Sequence, residues 1–127
     1  MKTIRLVLLS ICLAACATTR DLPAEPAARC EGLTPFPEGV EMPRKLHAPQ
    51  PKAPRGGPVS GYVCLEVTID TEGRVLDPQI LGTNSPEFAA NLVRAVGDWR
   101  FAPATRDGLP VAVPYSLVSE YHRMVMR

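Results

Sequence analysis

The chain has 127 residues, 46% of them hydrophobic, and carries 14 Lys and Arg against 13 Asp and Glu, for a formal net charge of +1. The balance is that of an ordinary globular protein, and it excludes the strongly basic face that nucleic-acid binding requires. So short a chain holds one small core at most.

At the amino terminus, Lys2 and Arg5 precede an apolar run from Leu6 to Ala15 that ends in small residues. A bilayer-spanning helix needs roughly 20 apolar residues, so this run is read as the hydrophobic region of a cleavable export signal, residues 1–15. The residues Leu13-Ala14-Ala15-Cys16 resemble the bacterial lipobox. That resemblance implies acylation of Cys16, and several acyl chains at ~0.8 kcal/mol per buried methylene give stable anchoring to a membrane. An ordinary secretory cleavage leaving a free Cys16 is the alternative. In Gram-negative lipoproteins an Asp after the cysteine retains the protein at the inner membrane. Ala17 stands there instead, which points to the cell envelope and the periplasmic face of the outer membrane. Loss of Lys2 and Arg5 with the leader takes the formal charge from +1 to −1, so no polybasic patch assists the anchor.

Cys12 leaves with the leader and Cys16 carries lipid, so Cys30 and Cys64 remain as a pair in an oxidising compartment. They are predicted to form a disulfide closing a loop of about 35 residues, worth roughly 3–4 kcal/mol by chain entropy. Two free thiols are the alternative. From Ala17 to Pro58 the chain shows neither helical nor strand period, and nine prolines recur through it. Each removes a donor and biases its predecessor to extended geometry, so residues 16–57 are expected to form a linker, partly polyproline II. Arg44, Lys45, Lys52 and Arg55 make its middle basic, as a solvated linker or a contact for anionic envelope polymer.

Residues 58–127 are expected to fold as a domain. Val63, Leu65, Val67 and Ile69 alternate with Cys64, Glu66, Thr68 and Asp70, the pattern of a half-buried strand. Asp70-Thr71-Glu72-Gly73 supplies a turn, and Arg74 to Leu81 returns as a second strand, with Pro78 marking it as an edge or a bulge. Ser85-Pro86-Glu87 announces a helix to about Val96, with Phe88, Leu92 and Val96 on its apolar face and Gly97 as its carboxy-terminal cap. After Trp99 to Pro103, a last strand is predicted from about Val111 to Tyr121, with Val111, Val113, Tyr115 and Leu117 inward. Pro110 and Pro114 mark it as an edge strand. The order is β-β-α-β: an α+β domain with one helix packed on a small three-stranded antiparallel sheet.

Gly61-x-Val63, Val67-x-Ile69-Asp70, Gly73-x-Val75, Trp99-x-Phe101-x-Pro103-Ala104 and Asp107-Gly108-x-Pro110-Val111, in this order around one helix, resemble the carboxy-terminal domain of the TonB family. The resemblance covers about Gly61 to Leu117. It implies a periplasmic domain that contacts envelope proteins, an outer-membrane receptor segment adding as a strand to an exposed sheet edge. Here that edge is the last strand, with Val111, Val113, Tyr115, Leu117 and Tyr121 as its residues, and strand exchange between two copies is a further way to use it. The energising members have an amino-terminal transmembrane helix where this chain has a lipobox, so energy transduction is not expected of it. An envelope-organising scaffold that contacts peptidoglycan or other envelope proteins is the second reading.

Catalysis is not expected. A nucleophilic Cys64 would have to be reduced and meet His122 or His47, and no glycine-rich elbow lies near it. Glu66, Asp70 and Glu120 read as exposed strand-face charges. Two His and two scattered Cys lack the paired spacing of a zinc site, and no cofactor is implied.

Overall fold

A computed structural model describes residues 30–124. Cys16, the expected lipidation site, and the expected leader, residues 1–15, lie outside the described residues. The elements are β1 (Arg44–His47), β2 (Ser60–Ile69), β3 (Val75–Thr83), α1 (Pro86–Gly97), β4 (Arg100–Ala102), β5 (Thr105–Arg106), β6 (Leu109–Pro110) and β7 (Val113–His122). The main sheet is antiparallel with order β3-β2-β7, and α1 packs on one face of it. This is the expected α+β arrangement, extended by two small strand pairs, β1-β4 and β5-β6.

Central β2 follows from its alternation. Val63, Leu65, Val67 and Ile69 point under the helix and are no more than 2% exposed. They meet Phe88, Ala89, Leu92 and Val96 of α1 in a core closed by Trp99, Phe101, Ala104 and Val113. The turn after β2 is held by Asp70, whose Oδ1 accepts from the backbone N–H groups of Glu72 and Arg74. Gly73 takes φ +81° there, and its carbonyl accepts from Phe101 N–H at 2.9 Å. A Cβ at 73 would collide with the Phe101 carbonyl, so the turn and β4 require glycine at their point of contact.

Pro78 proves to lie both on an edge and in a bulge. Glu66 pairs with Gln79 and Thr68 with Leu76, so Asp77 and Pro78 together oppose Val67, and Asp77 adopts φ 49°. The helix begins as expected, with Ser85 accepting from Phe88 N–H and Pro86 in the first turn. Its end differs. Gly97 is the last helical residue, and Asp98 caps the helix in the right-handed region at φ −94°. The Arg100 guanidinium donates to the carbonyls of Gly97 and Trp99, so these late carbonyls find a partner without a left-handed glycine.

The linker expectation requires correction over residues 30–57, which lie against the domain. Cys30 is bonded to Cys64, Phe36, Val40 and Ala48 pack against the core, and β1 pairs antiparallel with β4. Trp99 Nε1 donates to the Pro49 carbonyl at 2.9 Å and Asn91 Nδ2 to the Lys52 carbonyl at 3.0 Å. The prolines exclude a helix or a central strand, but a proline carbonyl still accepts, and the proline-free run Arg44 to His47 is long enough for a short edge strand.

Candidate functional site

The sheet order leaves two edges, and they are unlike. The β3 edge is interrupted by the Asp77–Pro78 bulge, which disrupts the ladder and twists it away from a would-be partner. In contrast, β7 pairs with β2 over ten consecutive residues without a register shift, from Ser60 opposite His122 to Ile69 opposite Val113. Among the described residues no strand pairs with its other side.

The outward-facing backbone groups of β7 can be assigned. In an antiparallel pair the N–H and C=O of one residue point to the same side, and the side alternates along the strand. Pro114 has no N–H yet lies in the unbroken ladder, as it can where the missing donor faces away from β2. Just past the strand, Arg123 N–H donates toward β2, to the Val59 carbonyl at 2.8 Å. Both observations direct the odd-numbered groups inward and those of Ser116, Val118, Glu120 and His122 outward.

The side chains of the expected edge residues go elsewhere. Val111 precedes β7, its N–H donating to the Ala104 carbonyl at 2.8 Å. It is therefore not on the edge, because the chain is still closing the β5-β6 hairpin there. Val113 is buried, and Tyr115, Leu117 and Tyr121 are partly buried against the core. The Tyr115 ring meets Phe101 edge-on at 5.3 Å, and burial raises its phenol above the usual value. Tyr121 stacks edge-on against Phe88 at 4.7 Å and donates to the Pro58 carbonyl at 2.9 Å. What β7 offers a partner is its backbone, together with Ser116, Val118 and Glu120 on the opposite face.

That opposite face carries a feature the sequence reading did not assemble. Glu66 accepts from Thr34 Oγ1 at 2.6 Å, from Thr34 N–H at 2.8 Å and from Ser116 Oγ at 3.4 Å. The Thr34 hydroxyl first, then its backbone N–H, hold the Glu66 carboxyl below the ordinary carboxylate value. With the Cys30–Cys64 bond, whose Cα atoms are 5.7 Å apart, this clamp fixes residues 30–36 across the sheet. It explains why Cys64, on the nominally outward face of β2, is fully buried. No periodicity in a proline-rich segment signals such a strap; the pairing of the two cysteines was the one available clue.

The residues considered for nucleophilic catalysis are not brought together. Cys64 is in the disulfide and opposite Val118, whereas His122 is opposite Ser60, its Nδ1 2.5 Å from Ser60 Oγ. His47 is exposed on β1. Among the described residues no three His, Cys, Asp or Glu side chains cluster to hold a metal, and no helix is long and apolar enough to cross a membrane.

Residues 51–122 match the family described as Gram-negative bacterial TonB protein C-terminal, more than half of the chain. The chain belongs to the TonB C-terminal family. It is 31% identical over 100 residues to Protein TonB of Vibrio cholerae serotype O1, a match covering 75% of this chain and 41% of that protein. It thus spans well under half of the curated relative's length. The fold is similar to the solution structure of the Pseudomonas aeruginosa TonB C-terminal domain, with a TM-score of 0.51 and 25% identity over 72% of this chain and 91% of that one. The TonB-like match begins at residue 51, so Cys30 and the strap lie before it.

Proposed function

We propose that this TonB-like chain is a non-catalytic protein-binding module of the bacterial envelope, in which the free edge of β7 takes up an extended segment of a protein partner as an added strand. The carrying observation is the contrast between the two edges: a ten-residue unbulged strand on one side and a bulge at Asp77–Pro78 on the other. Strand addition uses main-chain hydrogen bonds for affinity and needs no catalytic residue. Family membership supports an outer-membrane receptor segment as the partner, and the lipobox supports tethering through acylated Cys16 at the periplasmic face of the outer membrane. A domain of residues 58–127 preceded by a tether remains the organisation we favour, with residues 30–57 seated on that domain.

The test is a pull-down from detergent-solubilised envelopes with the full-length chain and with the Ser116→Pro/Val118→Pro variant. The two prolines remove outward N–H groups and leave the β2 ladder intact. Capture of an identified outer-membrane receptor by the wild type alone, with the variant folded, is the expected result. Equal capture by both sinks the edge reading. Palmitate labelling of the wild type and of Cys16→Ser tests the anchor, and equal incorporation would remove it.

A further inference from the structure

The strap and β7 together enclose a groove of about 250 Å³, lined by Leu33, Thr34, Phe36, Met42, Pro114, Tyr115 and Ser116. It contains three consecutive residues of β7 and none of β2, so it lies on the side of β7 away from β2, continuous with the free edge. The strap has to pass there. Cys30 is fixed to the outer face of the sheet at Cys64, while Phe36 packs against the core on the inner face, so the intervening residues cross beside the start of β7.

The chemistry of the groove is one-sided. Leu33, Phe36, Met42, Pro114 and Tyr115 supply apolar walls, and no charged residue lines it. Of its hydroxyls, those of Thr34 and Ser116 both donate to Glu66 and are thereby engaged. Met42 is 65% exposed, apolar area left uncovered by the chain itself. A strand added along Ser116 to His122 would place one of its ends in this groove.

We infer that the groove is a specificity site, which takes a single aliphatic or aromatic side chain at one end of the added segment and so sets its register on β7. This rests on the strand-addition reading above. The occupant is a segment of another protein, extended along the edge and apolar where it meets Leu33 and Met42. The disulfide acts as a positioning element, because it holds the wall formed by residues 33–36 in place.

The experiment is selection of a random displayed heptapeptide library on the full-length chain in detergent. Enriched peptides are expected to share an apolar residue at one fixed end. Leu33→Ser/Met42→Ser is expected to lose that preference and to bind the selected peptide at least about tenfold more weakly, the loss expected when one large apolar side chain is no longer buried. Met42→Leu should restore part of the binding, and Cys30→Ser should weaken it in the same direction. Thermal melting of each variant confirms that it is folded. Enrichment without an end preference would overturn the groove and leave the edge reading standing. Enrichment that survives Ser116→Pro/Val118→Pro would overturn both, as would no enrichment at all. Self-association of the chain lost in Met42→Ser would overturn the inference by assigning the groove to a second copy.

Discussion

The ring of Tyr121 lies on the bare backbone of Gly61, its partner across the β2-β7 ladder, where a Cβ would come within 2.6 Å of the ring's Cζ. The ring is held there by Phe88 on one side and by its hydrogen bond to the Pro58 carbonyl. Gly61→Ala is therefore expected to destabilise by about 1–3 kcal/mol, as overpacking does, although alanine in a strand would otherwise be favoured. Urea unfolding of Gly61→Ala with and without Tyr121→Ala checks this. The penalty should largely vanish when the ring is absent, and a penalty that persists would show that the ring is not its cause.

Gly73 and Gly108 separate backbone strain from crowding. Both sit at φ +81°, but a Cβ at 108 meets nothing within 4 Å, whereas one at 73 runs into the Phe101 carbonyl. Gly108→Ala should cost about 1–2 kcal/mol, the penalty of the left-handed region alone. Gly73→Ala should cost more than that, since β4 must move to admit it, and equal midpoints in urea would refute the contact.

Breaking the Cys30–Cys64 bond, which spans 34 residues, should lower stability by about 3–4 kcal/mol in the chain-entropy account. Melting with and without reductant measures it. Removing residues before 58 should lower the melting temperature further, because Phe36, Val40 and Ala48 and the β1-β4 pairing go as well. A fragment of 58–127 as stable as the full chain would show that the wrapped segment contributes nothing.

Acid should loosen the strap and the loops together. Glu66 is lowered chiefly by the Thr34 hydroxyl, Asp70 by the Arg74 backbone N–H and Glu87 by the Arg55 backbone N–H. For a carboxyl whose folded value lies below its unfolded one, the contribution is complete above the unfolded value, about pH 4.5, and is lost as pH falls through the folded value. Stability should therefore be level from neutrality to about pH 5 and fall below it. Thr34→Val should flatten the Glu66 part of that fall, and an unchanged profile would remove Glu66 from the account.

Alternation in Val63 to Ile69, the Ser85-Pro86 start and the Asp70 to Gly73 turn made the central strand, the helix and the hairpin legible in the sequence, because each depends on neighbours within a few residues. The spacing of family motifs around one helix likewise carried the fold, and compartment chemistry alone paired Cys30 with Cys64. Other features depended on contacts between residues far apart. The helix stops at Asp98 without a left-handed glycine because the Asp98 N–H bonds the Ala95 and Val96 carbonyls and Arg100 reaches that of Gly97. The proline-rich segment is seated on the domain because Trp99 and Asn91 find acceptors at Pro49 and Lys52, which no local period encodes. The prolines marked both outer strands as edges, but only the tertiary register showed that the β3 edge is broken by a bulge while β7 runs regular beside β2. Hydrophobic period reports which face a residue buries, whereas an edge is defined by the strand that is not beside it.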